Sequence, residues 1–133
     1  MLDQYVGIKS SFGKYLTSSS GGKIQCDKSE MKDNEIFLLR QEGGFVTLKN
    51  RYGKFISATN NNNLEAEKDK VGTNEKFEIE LMNNNKFALK SCYGYVCALK
   101  DGKIEINRKN ISESEIFQFI IKNVESYAEF IKF

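Results

Sequence analysis

The sequence contains no histidine, no tryptophan and no proline. Histidine is the commonest metal ligand and the commonest acid or base near neutral pH, so its absence excludes most catalytic triads and most zinc sites. No glycine-rich phosphate loop follows a predicted strand and opens a helix. We therefore expect a protein that is not an enzyme, with no catalytic residues, no metal and no cofactor.

Cysteine is scarce, and its number is odd: Cys26, Cys92 and Cys97. Three thiols do not make a self-sufficient disulfide framework, so reduced thiols in a cytosolic protein are the simpler interpretation. Cys26 and Cys97 fall at aligned apolar positions and are expected to be small buried hydrophobes. Cys92 lies near a turn, where we expect it to be exposed.

Long apolar runs are also missing, since no stretch approaches the ~18 apolar residues of a membrane span. The segment from Met1 to Gln4 shows no charged region followed by an apolar run, and Leu2 stands where N-myristoylation requires glycine. Phe133 ends the sequence without a prenylation cysteine. We expect no transmembrane segment, no lipid anchor and a cytoplasmic location.

Charge of one sign does not dominate, because 20 Lys and Arg face 18 Asp and Glu, for a formal net charge of +2. A nucleic-acid footprint needs clustered cations on one face, and no third of the chain forms a basic arm. Nucleic acid is therefore not expected as a partner.

An internal repeat is the strongest positive feature. Each copy begins with apolar-x-apolar-Lys, followed by a turn that ends in an aromatic residue and glycine: VGIKSSFGKYL from Val6, VTLKNRYGKFI from Val46 and FALKSCYGYVC from Phe87. The turn glycines, Gly13, Gly53 and Gly94, lie 40 and 41 residues apart and are expected to supply positive φ. A second motif, Asn/Ser-Glu-x-Phe, recurs with a spacing of 40 residues around Glu35, Glu75 and Glu115. Two independent motifs thus share one period.

Period-two alternation of apolar residues between turn clusters indicates strands. Aligning the three copies gives these apolar positions: Val6, Ile8, Leu16, Ile24, Cys26, Phe37, Leu39, Val46, Leu48, Ile56, Leu64, Ala66, Phe77, Ile79, Phe87, Leu89, Cys97, Ile104, Ile106, Phe117 and Phe119. Four strands in each of three units predict an all-β fold, the β-trefoil. A propeller is disfavoured because three blades are fewer than the usual four to eight. We expect one trefoil over residues 1–121, with repeats at 5–43, 44–84 and 85–121.

The segment 122–133 lies outside the repeat. Val124, Tyr127, Ala128 and Ile131 fall at helical spacing, which favours a short amphipathic helix. Packing against the trefoil is one interpretation of its apolar load. The other is contact with a partner or a second copy through Tyr127, Phe130, Ile131 and Phe133.

Cationic and aromatic residues near the turns are the candidate binding residues. Lysines recur in register at two positions, and further cations lie near loops: Lys9, Lys49 and Lys90, then Lys14 and Lys54, then Arg51, Lys100, Lys103, Arg108 and Lys109. The alternative is a set of solvated strand ends whose aliphatic stems cover apolar surface. In the third copy Tyr95 stands in the place of a repeated lysine, and Tyr93 and Tyr95 flank Gly94, which suggests an aromatic contact point. The three repeated glutamates are expected to bond turn backbone.

The segments Gly13 to Thr17 and Gly53 to Ser57, each followed about 20 residues later by Asn-Glu-x-Phe, resemble the repeats of fascin and hisactophilin. The resemblance covers residues 5–121, mainly at turn and core positions. It implies a cytoplasmic protein of the cytoskeleton or cell cortex that binds filamentous actin and crosslinks it through two sites or by self-association. The histidine-based pH sensing and the acyl anchor of hisactophilin do not carry over to a chain without histidine and with Leu2.

Two other functions stay open. A carbohydrate-binding trefoil is the first, although a chain without tryptophan cannot contain the Gln-x-Trp motif of ricin-type repeats. The second is an interaction scaffold that uses the tail.

Overall fold

The structure of the protein is a computed structural model that describes residues 2–122. It is an all-β structure of twelve strands in three groups of four, as the repeat predicts: β1 (Leu2–Ser10), β2 (Tyr15–Ser18), β3 (Ile24–Lys28) and β4 (Phe37–Glu42); β5 (Phe45–Lys49), β6 (Phe55–Ala58), β7 (Leu64–Lys68) and β8 (Glu78–Leu81); β9 (Lys86–Lys90), β10 (Tyr95–Ala98), β11 (Ile104–Arg108) and β12 (Phe117–Ile121). A single 3-10 turn precedes the fourth strand of each group: Asp33–Glu35, Thr73–Glu75 and Glu113–Glu115.

Six strands form a barrel. Strand β1 pairs with β4 and β12, β4 pairs with β5, and β9 pairs with β8 and β12, all antiparallel. The remaining gap, between β5 and β8, is bridged where Val46 and Phe77 exchange two backbone hydrogen bonds of 2.8 and 3.0 Å. The other six strands form the hairpins β2–β3, β6–β7 and β10–β11. This arrangement is a β-trefoil, and it leaves few exposed strand edges.

The core lies inside the barrel and under the hairpins, where the aligned apolar positions converge. Phe37, Phe77, Phe87 and Phe117 are each at most 2% exposed. Leu39, Ile79 and Phe119, at the last aligned position of each repeat, are partly buried against this core. The aligned apolar residues are buried or partly buried, so the predicted core is confirmed. Cys97 is also buried, but it lies one residue further along the repeat than the alignment placed it.

The third copy has a shorter first hairpin than the other two. Lys9 pairs with Tyr15, six residues on, whereas Lys90 pairs with Tyr95, five residues on. The amide of Ser91 bonds to the Gly94 carbonyl at 2.7 Å, where the amide of Ser10 reaches one residue further. Tyr95 is therefore equivalent to Tyr15, and the prediction that it replaces a repeated lysine is wrong.

The same shift moves the core position by one residue. Val96 belongs to the core cluster with Leu16 and Ile56, so Val96 is the third apolar residue of this set. Cys97 is equivalent to Thr17 and Ser57, one residue further along each strand. The turn glycines keep their predicted role, with φ of 80° at Gly13, 79° at Gly53 and 148° at Gly94.

Within residues 2–122, no helix is both long and apolar enough to cross a membrane. The predicted tail helix, with its contact residues Tyr127, Phe130, Ile131 and Phe133, lies outside the described residues.

Candidate functional site

Three buried glutamates hold the loops that lead into the fourth strand of each repeat. Glu35, Glu75 and Glu115 are 3 to 5% exposed. Each Oε1 accepts a hydrogen bond from the backbone amide three residues earlier, at 2.8, 2.7 and 2.8 Å. The expectation that these glutamates bond turn backbone is confirmed, and the 3-10 turns are thereby fixed in place.

The second carboxylate oxygen of each glutamate faces a residue of the neighbouring hairpin. Thr17 Oγ1 donates to Glu35 at 2.6 Å, and Ser57 Oγ donates to Glu75. In the third repeat the Cys97 thiol takes this place beside Glu115. Burial, with the Glu115 carboxylate as a second cause, raises the pKa of the Cys97 thiol to about 11. A thiol with so high a pKa is a poor nucleophile near neutral pH.

Burial likewise raises the pKa of the Cys26 thiol to about 11. Cys92 is exposed, as its position near a turn predicts. Among residues 2–122, no three His, Cys, Asp or Glu side chains come together in a way that could hold a metal ion.

The repeated lysines pack on aromatic rings of their own repeats. The amino group of Lys9 lies 5.5 Å from the ring centroid of Tyr15, that of Lys49 lies 5.2 Å from Phe55, and that of Lys90 lies 5.7 Å from Tyr95. Attraction between an ammonium group and a ring face orients the side chain without removing its charge. The three lysines lie on β1, β5 and β9, alternate strands of the barrel, so they are spread around it and do not form one patch.

Several other candidate cations already have acidic neighbours. Lys54 forms an ion pair with Asp69 and lowers the pKa of that carboxyl. Arg108 pairs with Glu105 at 2.5 Å. Arg51 Nη1 lies 3.9 Å from a carboxylate oxygen of Asp33, and its guanidinium lies 5.2 Å from the Tyr52 ring centroid. The remaining candidates, Lys14, Lys100, Lys103 and Lys109, are exposed.

The two candidate tyrosines differ in environment. Tyr93 is 46% exposed on the turn, so it is accessible to a partner. The Tyr95 hydroxyl donates to Glu80 at 2.5 Å, and this hydrogen bond raises the pKa of the phenol. Tyr95 therefore contacts Lys90 of its own repeat and Glu80 of the second repeat, whereas Tyr93 is available at the surface.

The three long hairpins meet around an axial depression of about 520 Å³ to which all three repeats contribute. A ring of hydrogen bonds joins the three hairpins: the amide of Ala66 donates to the Gly22 carbonyl at 2.8 Å, that of Cys26 to the Gly102 carbonyl at 2.8 Å, and that of Ile106 to the Asn62 side chain at 2.9 Å. Lys103 is the one predicted binding residue in its lining. None of the described residues in that lining is aromatic, so the depression offers no ring on which a sugar could stack.

Two lysines that the sequence analysis missed lie beside the candidate residues. Lys86 lines a cleft with Lys9, and Lys76 lines another with Lys90. Neither recurs in the repeat, since Ile36 and Ile116 are equivalent to Lys76. A search for residues in register could not find them. These lysines could have been found by looking for departures from the repeat, that is, for a lysine where the other copies carry an apolar residue.

Comparison with protein families gives a match over the first two repeats. A family model described as the fascin domain matches residues 2–79, which is more than half of the chain and covers the first repeat and nearly all of the second. Comparison with curated proteins gives no match. The matched residues include β1 to β7 and the start of β8.

Proposed function

The chain belongs to the fascin domain family, and on this premise we propose that it is a non-enzymatic actin-binding protein of the cytoskeleton. The family match over residues 2–79 is the observation that carries the proposal. The finer proposal is that it binds filamentous actin at the cytoskeleton or cell cortex in the cytoplasm and crosslinks the filaments.

Surface charge supports this proposal. Lys9, Lys49 and Lys90 are held at equivalent positions by aromatic rings, so their ammonium groups are partly ordered before a partner arrives. Ordering a side chain in advance lowers the entropy cost of binding. An acidic filament surface is the complementary partner, and contacts of this kind weaken as salt rises.

Co-sedimentation of two matched variants with filamentous actin tests the role of the lysines. Lys9→Gln with Lys90→Gln removes two ring-supported charges and is expected to reduce the fraction of protein in the high-speed pellet. Lys54→Gln with Arg108→Gln removes two charges that already face Asp69 and Glu105, so it should pellet like the wild type. An equal loss in both variants would show that net charge alone drives pelleting.

A further inference from the structure

Side chains bridge each of the three junctions between repeats. At each junction, the first turn of one repeat touches the 3-10 turn of the repeat before it. Tyr52 Oη donates to Asn34 at 2.8 Å where the first and second repeats meet. Cys92 Sγ lies 3.3 Å from Asn74 Oδ1 where the second and third meet. Ser11 Oγ donates to the Glu113 carbonyl at 2.8 Å where the third meets the first.

An apolar plug lies at the junction of the first and second repeats, next to an open cleft that is lined by residues 28–30, 32–35 and Arg51. Ile36 and Leu38, each 7% exposed, pack there with Tyr5 and Met31. Gly7 makes room for Met31, because a Cβ at this position would overlap the methionine sulfur. The plug is a second hydrophobic cluster, separate from the main core.

At each of the other two junctions, two of the four plug positions carry a polar or charged residue and the other two stay apolar. By the strand register, Leu38 faces Lys49, whereas its equivalent Glu78 faces Lys90 and its equivalent Gln118 faces Lys9. The equivalents of Tyr5 are Phe45 and Lys86. Both junctions stay open as clefts, which we name cleft A, between the third and first repeats, and cleft B, between the second and third. Their volumes are about 610 and 490 Å³.

Each cleft combines two amino groups with apolar residues in its lining. Cleft A has Lys9 and Lys86 beside Ile116 and Phe117, with Glu113 as its acidic residue. Cleft B has Lys76 and Lys90 beside Phe77, with Glu78 as its acidic residue. The amino group of Lys76 lies 4.8 Å from the Phe45 ring centroid, so this lysine is also held by an aromatic ring. Both clefts therefore carry a net positive charge in the lining.

We propose that cleft A and cleft B each bind an acidic polypeptide segment on an actin filament, so that one trefoil joins two filaments without forming a dimer. This inference rests on the proposed function. The two clefts lie at different junctions of the trefoil and share no lining residue. Cleft A is the stronger site, since Lys9 faces the neutral Gln118 whereas Lys90 faces the carboxylate of Glu78.

Charge reversal in each cleft separates binding from crosslinking. Lys9→Glu with Lys86→Glu disables cleft A, Lys76→Glu with Lys90→Glu disables cleft B, and a quadruple variant disables both. Lys68→Glu with Lys70→Glu is the matched control, because it makes the same charge change at exposed residues outside the two clefts. Circular dichroism verifies each fold. If a paired variant does not fold, the single substitution at an exposed lysine of that pair, Lys86→Glu or Lys76→Glu, is used in its place.

Full-length variants are spun with filamentous actin at high speed for binding and at low speed for bundles, and light scattering gives their mass. The wild type and the control are expected to bundle filaments as monomers. Each single-cleft variant should stay in the high-speed pellet with a lower affinity, and the larger loss is expected for cleft A. It should form no low-speed pellet because it keeps one site. The quadruple variant should remain in the supernatant.

Three outcomes overturn the inference. Low-speed bundles that persist in both single-cleft variants, or a wild type that binds without bundling, contradict two sites while leaving filament binding intact. Bundling that requires a dimer contradicts the claim for one trefoil. A wild type that does not pellet at all overturns the proposed function and the inference together.

Discussion

At the scale of single residues, the buried carboxylates are the polar groups whose hydrogen bonds matter most for the stability of the fold. Glu35, Glu75 and Glu115 lie almost out of contact with water, and each keeps its place through a backbone amide and a side chain of the adjacent hairpin. A buried carboxylate that loses a donor suffers the desolvation cost of the unmade hydrogen bond. The donors should therefore matter as much as the glutamates.

The donor to Glu75 can be removed without changing a charge. Ser57→Ala deletes the hydroxyl that donates to this buried carboxylate, and we expect the free energy of unfolding to fall by about 1–3 kcal/mol. Cys97→Ser, at the equivalent position, replaces a thiol by a stronger donor and should keep or raise it. Urea unfolding measures the free energy of unfolding of both variants. An unchanged value for Ser57→Ala would mean that Glu75 does not depend on this contact.

Acid should weaken the fold partly through Glu115. Burial alone raises the pKa of this carboxyl, but hydrogen bonds from Ser112 and Cys97 outweigh it and lower the pKa below its ordinary value of 4.5. A depressed folded-state pKa stabilises the protein fully above 4.5, and this contribution is lost as pH falls through the folded-state value. Glu115→Gln should thus lose stability at pH 7, and its difference from the wild type should shrink below pH 4.5. Urea unfolding across this range would contradict the account if the difference stayed constant.

At the scale of elements, the hairpin turns decide how the repeats fit together. Gly22 and Gly102 adopt φ of 90° and 93°, and Asn62 adopts 60° at the equivalent place. Asparagine tolerates this left-handed conformation better than most residues, which explains its use in the second repeat. These turns supply the acceptors for Ala66, Cys26 and Ile106 around the axis, so an error in one turn affects two repeats.

Two glycine substitutions separate backbone strain from crowding. Gly13→Ala places a Cβ in open space at φ 80°, so it should cost the strain alone, about 1–2 kcal/mol. Gly22→Ala adds a clash with the backbone of Ala66, whose carbonyl oxygen would lie 2.9 Å from the added Cβ, and should cost more. Thermal unfolding ranks the two variants, and equal losses would contradict the close contact between repeats at the axis.

At the scale of the whole molecule, repetition made the trefoil predictable from sequence, and departures from repetition hid the rest. The core followed from alternating apolar residues such as Val6 and Ile8, because alternate positions of a strand share one face. The shortened third hairpin was missed because tyrosines lie on both sides of Gly94. Tyr93 matches the aromatic residue before the turn glycine and Tyr95 matches the aromatic residue after it, so the sequence fits the motif with or without the missing residue. The clefts were missed because each is lined by residues far apart in sequence, such as Lys9 and Lys86 in cleft A.

The most direct test of the central claim is high-speed co-sedimentation of the wild-type chain with filamentous actin, at low and near-physiological salt. We predict saturable pelleting at low salt that weakens as salt rises, since exposed lysines would supply the contacts. A chain that stays in the supernatant even at low salt would contradict actin binding by this trefoil.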